Sequence, residues 1–492
     1  MSYRNLVILS GLASVLAVAI IAGCGGGPST PPYSSPQAGS VVAFGTDAPI
    51  CDVESFVATL TSASLVPQSG GTPVALINAT APATVDFARL VDFTNILSTA
   101  SVAPGTYSQL QMTLSNPQLI GTNTSTSPPS PQSIPVTLTA STFTLTINPA
   151  LVVTSSKTSG LLVDFNLRQS LQVNGGGQVT GTVDPQFTIT ATTTSGTTVG
   201  EADALYGIVQ TPSTSNLPSG FTGGFPLVLG DGTGQTLTVL VNSSTVFEGD
   251  GVTSFSDLTA NTFVEVDAIV NTSGQIIAQT VDSEEQTSSA SQKSAFLGKV
   301  ISVTRDGSGN ATTFTLLIDA EIPDLNATIP LHSGLTVTLS GTTHYFTNWQ
   351  HWNRQGFTFT PQTLGVAEKV AVFGVLGSGS PPTMAANQVF LRPRNVLGNY
   401  NNLLTAGSDN ITGAFTMTPC GGLFGGQPIT VLTYSDSVFT GLTGLTALTS
   451  APTLNTNGLL FYMQTNGTTS SGVSWLAPTW IMQARGVHQL PN

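Results

Sequence analysis

The residues best equipped to meet a ligand lie in one window, His344-Tyr345-Phe346-Thr347-Asn348-Trp349-Gln350-His351-Trp352-Asn353-Arg354. It holds two of the chain's four histidines and two of its four tryptophans. Aromatic faces with amide and guanidinium groups beside them can stack on a sugar ring and bond its hydroxyls. His344, Tyr345, Trp349, His351, Trp352 and Arg354 are therefore the candidate ligand-binding residues. Two histidines could also seed a metal site, but the window contains no carboxylate to complete one, so no metal ligand is assigned. The plainer reading is a long insertion between strands whose aromatics pack over the mouth of a barrel.

Other candidates reduce to turn chemistry. Asp306-Gly307-Ser308-Gly309-Asn310 places oxygens at alternate positions like the start of a calcium loop. Leu317 stands where such a loop needs glutamate, and Asp-Gly between two strands is first of all a hairpin. Gly230-Asp231-Gly232-Thr233-Gly234 reads the same way. Asp47 before its Ala-Pro turn is expected to bond its own backbone. Asp86 and Asp164 fall inside strand-like segments and would need partners if buried. The chain has no Gly-x-Ser-x-Gly elbow, no His-Glu-x-x-His and no Gly-Lys-Ser/Thr phosphate loop, and nothing singles out a carboxylate pair. No catalytic residue and no cofactor is assigned, and the chain is not expected to be an enzyme.

The N-terminal segment supplies an address. Arg4 precedes an apolar run from Leu6 to Ile21, of signal-peptide length and short for a membrane span. The run ends in Ile21-Ala22-Gly23-Cys24, which resembles the bacterial lipobox, in which the cysteine receives the lipid. Cys24 is thus the expected lipidation site, and two or more acyl chains on it would anchor the protein stably in a membrane. The following Gly, Pro and Ser residues form a polar tether with nothing to bury. Gly25 in place of aspartate favours the outer membrane in the proteobacterial sorting rule.

Composition narrows the rest. Fifty-one glycines, 30 prolines and only 8% charged residues suit strands and turns rather than long helices. The formal charge of −13 becomes −14 once Arg4 leaves with the signal peptide, and the basic residues are scattered. No footprint for a phosphate backbone exists, so nucleic acid is excluded as a partner. With Cys24 given to lipid, Cys51 and Cys420 remain. Outside the cytoplasm they could form a disulfide across domains; two separately buried thiols is the reading favoured from sequence.

These residues must be positioned by strands. From Val41 to about Thr194 short segments alternate with turns, as in an antiparallel sandwich. Thr46 to Pro49, Val85 to Leu90, the Pro104-Gly105-Thr106-Tyr107 turn and Val163 to Phe165 occur in the order found in the domain of unknown function 4382. The region resembles that family, which implies an extracellular β-sandwich common on lipoproteins and implies no activity. The remainder is repetitive. One unit begins at Tyr206-Gly207-Ile208-Val209 and a second at Leu297-Gly298-Lys299-Val300. Each continues through a Thr-containing turn before an aromatic, Thr245-Val246-Phe247 and Thr343-His344-Tyr345-Phe346, to a final Ala-x-x-Val strand. A third, weaker copy is traced from Ile411. The units resemble the domain of unknown function 5666.

The expected fold is all-β, an N-terminal antiparallel β-sandwich followed by about three small β-barrel or barrel-like domains. The boundaries are 1–23 for the signal peptide, 24–39 for the tether, 40–195 for the sandwich, and 204–283, 296–392 and 396–492 for the repeats, with a linker at Glu284 to Ser289. The function this implies is a lipid-anchored cell-envelope protein, a non-enzymatic module for adhesion, polymer binding or assembly. Its partners would be the membrane through the lipid, and extracellular glycan or other envelope proteins. The alternative is a secreted carbohydrate-processing hydrolase or its accessory, using the 344–354 window.

Overall fold

The computed structural model describes residues 38–490 except 48–49, 52, 91–93, 124, 127–128, 175–178, 231–234, 250, 284–293, 322–328, 348–356, 380, 405–410, 449–451 and 471. Cys24, the tether as far as residue 37 and the Glu284 to Ser289 segment lie outside the described residues. The fold is all-β: a sandwich and three closed barrels, packed as one compact unit.

The sandwich is a ten-stranded sheet that folds over a single core. Strands Val53–Pro67, Gly105–Asn123 and Thr142–Val153 make one antiparallel block. Gly39–Asp47, Asn95–Val102, Thr158–Phe165 and Phe187–Ala191 make the other. The arrangement departs from antiparallel where Gly39–Asp47 runs parallel to Thr158–Phe165 and where Phe187–Ala191 meets Thr142–Val153. Alternate residues of both blocks (Phe56, Ala58 and Leu60; Leu161, Val163 and Phe165) turn inward, the period-two pattern of a half-buried strand. The Pro-Gly-Thr-Tyr turn works through Tyr107, which is buried and donates its hydroxyl to the Ala103 carbonyl at 2.8 Å. That bond satisfies a phenol that would otherwise be stranded in the core.

The three barrels share one topology. In the first, Thr198–Val209 pairs with Gly223–Leu229, which pairs with Thr236–Val241, which runs parallel to Ile276–Ser283. Phe263–Asn271 then closes the ring against both Ile276–Ser283 and Thr198–Val209. The second repeats this with Ser294–Arg305, Ala311–Glu321, Gly334–Thr338, Thr383–Arg392 and Lys369–Leu376. The third uses Arg394–Leu404, Ile411–Pro419, Ile429–Thr440, Thr479–Gln489 and Thr453–Met463. Its first strand, Arg394–Leu404, carries Asn399-Tyr400 after Gly398, so the repeat pattern is plain only from Ile411 onward. Among the described residues, closure pairs every strand of each ring on both sides.

The repeat signatures have structural causes. A Cβ on Gly207 would come within 2.3 Å of the Val228 carbonyl oxygen, on Gly298 within 2.0 Å of that of Leu317, and on Gly398 within 2.5 Å of that of Thr418. Only glycine admits this close approach of the first two strands. The hydroxyl before the aromatic has one role in every barrel. Thr245 Oγ1 donates to the Ala278 carbonyl at 2.8 Å, Thr343 Oγ1 to Ala386 at 2.9 Å and Ser437 Oγ to Ala484 at 2.6 Å. Each also accepts from the backbone N–H three residues earlier, at 3.1, 2.9 and 2.8 Å respectively. The hydroxyl thus ties the turn to the alanine of the last strand. The bland alanine must leave room for it.

The domains meet through apolar faces. Val42 and Phe44, on the outer face of the sandwich's first strand, join the core of the first barrel. Tyr206, Ile208 and Phe263 pack with Leu297, Phe373 and Phe390 between the first and second barrels. The second barrel's core continues into Leu432, Leu459 and Phe461 of the third. Finally, Cys51 and Cys420 are bonded, with Cα atoms 5.5 Å apart and 369 residues between them in sequence. The expectation of two separate thiols is corrected: the third barrel folds back onto the sandwich and brings them together.

Candidate functional site

The aromatic window is only partly described. His344–Thr347 forms a strand parallel to Gln388–Leu391. His344 is exposed and lies near the Phe346 ring, centroids 6.3 Å apart. Tyr345 is half-buried, edge-on to Phe359 at 5.8 Å, and burial pushes its phenol up to about 12. Phe346 stacks on Phe390 at 4.9 Å, within the contact between barrels. Trp349, His351, Trp352 and Arg354 lie outside the described residues. The part in view serves packing.

The turn candidates resolve into local bonds. Asp306 Oδ1 accepts from the N–H groups of Ser308 at 2.8 Å and Asn310 at 2.9 Å, and Asn310 Nδ2 reaches Oδ2 at 3.1 Å. Asn310 holds the carboxyl below its usual range, so its acceptors are spent on the hairpin. Residues 231–234 of the Gly230 loop lie outside the described residues. Asp47 Oδ1 accepts from the N–H of Leu167 at 2.9 Å, 120 residues away, while residues 48–49 of its own turn lie outside the described residues. That bond satisfies the first N–H of the short helix Leu167–Ser170, whose N-cap is Asn166, and links two of the sandwich landmarks. Asp164 is half-buried and burial raises its pKa.

A larger concavity lies elsewhere, where the sandwich meets the first two barrels. It is a cavity of about 400 Å3 lined in part by Asp86, Arg89, Asp203, Glu265, Lys369 and Arg392. A smaller cavity of about 150 Å3 shares Arg89 and Lys369 and extends past Glu54, Asp319 and Arg394 to the disulfide. In a chain with 8% charged residues, six ionisable side chains around one cavity are a notable concentration.

Each charge is delivered by a definite element. Asp86 ends the strand Ala83–Asp86, and its Oδ1 accepts from the Phe56 N–H at 3.0 Å. His332 Nε2 stands 3.6 Å from its other oxygen. Burial raises the Asp86 pKa, and His332 and Arg89 oppose the shift. Arg89 projects from the 3-10 helix Phe87–Leu90 that follows, whose Phe87 and Leu90 are core residues. Glu265 pairs across strands with Tyr206, and Lys369 with Arg392. The Glu265 carboxylate and Arg392 guanidinium form an ion pair between the barrels, and Arg392 also lies over the Tyr206 ring at 5.8 Å. Burial drives Glu265 well above the usual carboxylate range, assisted by Asp267 and Asp282. Burial lowers Lys369, while the guanidinium of Arg392, brought down to about 10, stays charged at neutral pH.

Asp203 is placed by a break in the barrel. The pairing of Thr198–Val209 with Phe263–Asn271 shifts between Ala202 and Leu205. Ala204 there adopts φ 51°, and its N–H is bonded by Asp267 Oδ1 at 2.9 Å. Among the described residues, neither the second nor the third barrel has this shift in its corresponding pairing. Burial first, then the charges of Asp267 and Glu201, raise Asp203 to about 7.

None of these cavity charges was assigned a role from sequence. The available signal was scarcity: Val264-Glu265-Val266 and Leu391-Arg392 put charges inside apolar strands. What sequence could not show is that they meet. Among the described residues, no group of three or more His, Cys, Asp or Glu is placed to hold a metal ion.

Fold and site together define an all-β protein of one sandwich and three barrels, each closed by a ring of five strands, with a polar cavity where the sandwich meets the first two. Residues 39–180 match the domain of unknown function DUF4382, which covers most of the sandwich and under a third of the chain. No curated protein matches the sequence.

Proposed function

We propose that this chain is an exported, lipid-anchored component of the cell envelope, held through Cys24, whose sandwich and barrels act as one non-enzymatic binding or assembly body. The observation that carries this reading is the Cys51–Cys420 bond. Disulfides persist in oxidising compartments and are rare where thiols are kept reduced. A bond linking the first and last domains therefore supports an address outside the cytoplasm. Ile21-Ala22-Gly23-Cys24 and the tether after it support lipid attachment as the means of retention there. The three barrels, which resemble the domain of unknown function 5666, supply surface rather than a linear catalytic motif.

Growth with an alkyne-bearing fatty acid tests the anchor. The wild-type protein should carry the label into the membrane fraction, and Cys24→Ser should carry none. Equal labelling of the two, or wild-type protein that is unlabelled and cytosolic, would overturn the proposal.

A further inference from the structure

We propose that the larger junction cavity is a binding site for a hydroxylated organic acid of roughly monosaccharide size, its carboxylate held by Arg89 and its hydroxyls by Asp203 and neighbouring polar side chains. This goes beyond the envelope reading and does not depend on the lipid.

Size and place come first. A cavity of about 400 Å3 at a domain junction lies in the small-molecule range of roughly 300–1,000 Å3. Three walls close on it: Asp86 and Arg89 from the sandwich, Asp203 and Glu265 from the first barrel, Lys369 and Arg392 from the second.

Charge selects the ligand's sign. Glu265 is engaged by Arg392, and Asp86 faces His332. Arg89 makes no ion pair among the described residues, and Lys369 beside it adds positive potential. Six ionisable groups around one cavity are costly in a protein that otherwise avoids charge, and apolar replacements would fill the space at less expense to stability. Such groups collect where something is bound. A planar guanidinium takes a carboxylate by two parallel hydrogen bonds.

The rest of the lining selects the ligand's body. Thr84, Asn95, Thr99 and Gln235 offer hydroxyl and amide groups around the same space, which suits a polyhydroxylated molecule better than an alkyl chain. Asp203 lines the wall at a register shift where Ala204 takes a left-handed φ, a shift not seen among the described residues of the corresponding pairings in the sister barrels. Bulges and left-handed non-glycine residues concentrate at functional sites, because they re-aim a side chain at the expense of local stability. A carboxyl raised to about 7 there is partly protonated at neutral pH, so it repels an incoming anion less than an ordinary aspartate and in that form can donate to a hydroxyl.

Isothermal titration of the mature full chain with D-glucuronate, D-glucose and hexanoate reads the assignment. Glucuronate should bind at least about tenfold more tightly than the other two, and Arg89→Gln should weaken it by about tenfold or more. No binding of glucuronate, equal binding of glucose, or unchanged affinity in a folded Arg89→Gln variant would overturn the proposal. Should that variant fail to fold, a wild-type crystal structure with glucuronate decides instead: its carboxylate must lie against Arg89, and density elsewhere refutes the site. Failure of this binding would leave the lipid anchor untouched, and an unlabelled Cys24 would leave this binding untouched.

Discussion

Glu265 of the first barrel and Arg392 of the second form an ion pair in which both side chains are almost wholly removed from water. Their attraction offsets the desolvation of two charges only while both are present. Glu265→Ala should therefore cost about 3–5 kcal/mol, because it strands the guanidinium, whereas Glu265→Met with Arg392→Met should recover most of that loss. Urea denaturation of the single and double variants measures the difference. Purely additive losses would show that the pair does not bridge the barrels.

Asp203 should make stability fall as pH rises. Its native pKa is about 7, against an ordinary value of 3.8. Between those values the unfolded chain gives up its proton while the native chain keeps it, so the unfolded state gains. The loss is complete above the native value. Asp203→Asn removes it: the variant should match wild type near about pH 4 and exceed it by about 2–4 kcal/mol near about pH 8. Thermal melts across that range read the effect, and parallel curves at every pH would contradict it.

The hydroxyl in each barrel's turn should matter equally in all three. Thr245→Val, Thr343→Val and Ser437→Ala each remove two bonds to backbone groups and leave an alanine carbonyl unpartnered. A loss of about 1–2 kcal/mol apiece is expected from chemical denaturation. A neutral result at any one would show that this barrel does not use the tie.

Breaking Cys51–Cys420 releases a constraint spanning 369 residues of the unfolded chain. Cys51→Ser with Cys420→Ser should lower stability by about 3–5 kcal/mol and make unfolding insensitive to added reductant. Wild-type unfolding that is itself indifferent to reductant would mean the bond is not formed.

Periodicity carried most of the fold. Alternation through Phe56-Val57-Ala58 and Leu110-Gln111-Met112 reports one buried face per strand, and the same signal repeated at Gly207 and Gly298 reports barrels. Gly398 was missed because Asn399 and Tyr400 replace the Ile-Val and Lys-Val that follow the glycine in its sisters. The parallel pairing of Gly39–Asp47 with Thr158–Phe165 leaves no mark on alternation, since either direction buries the same face. The junction cavity was illegible for a different reason. Asp86, Asp203, Glu265 and Arg392 are far apart in sequence and isolated among apolar neighbours, and their chemistry appears only when three domains close. The disulfide is likewise a property of that closure, not of spacing.

The central claim is that this body is exported and anchored by lipid, and peptide mass spectrometry of protein recovered from cells tests it most directly. The account predicts an N-terminal peptide that begins at Cys24 and bears acyl chains, together with a cross-linked peptide containing Cys51 and Cys420. An unacylated N-terminal peptide still carrying Arg4, with both cysteines recovered as free thiols, would contradict it.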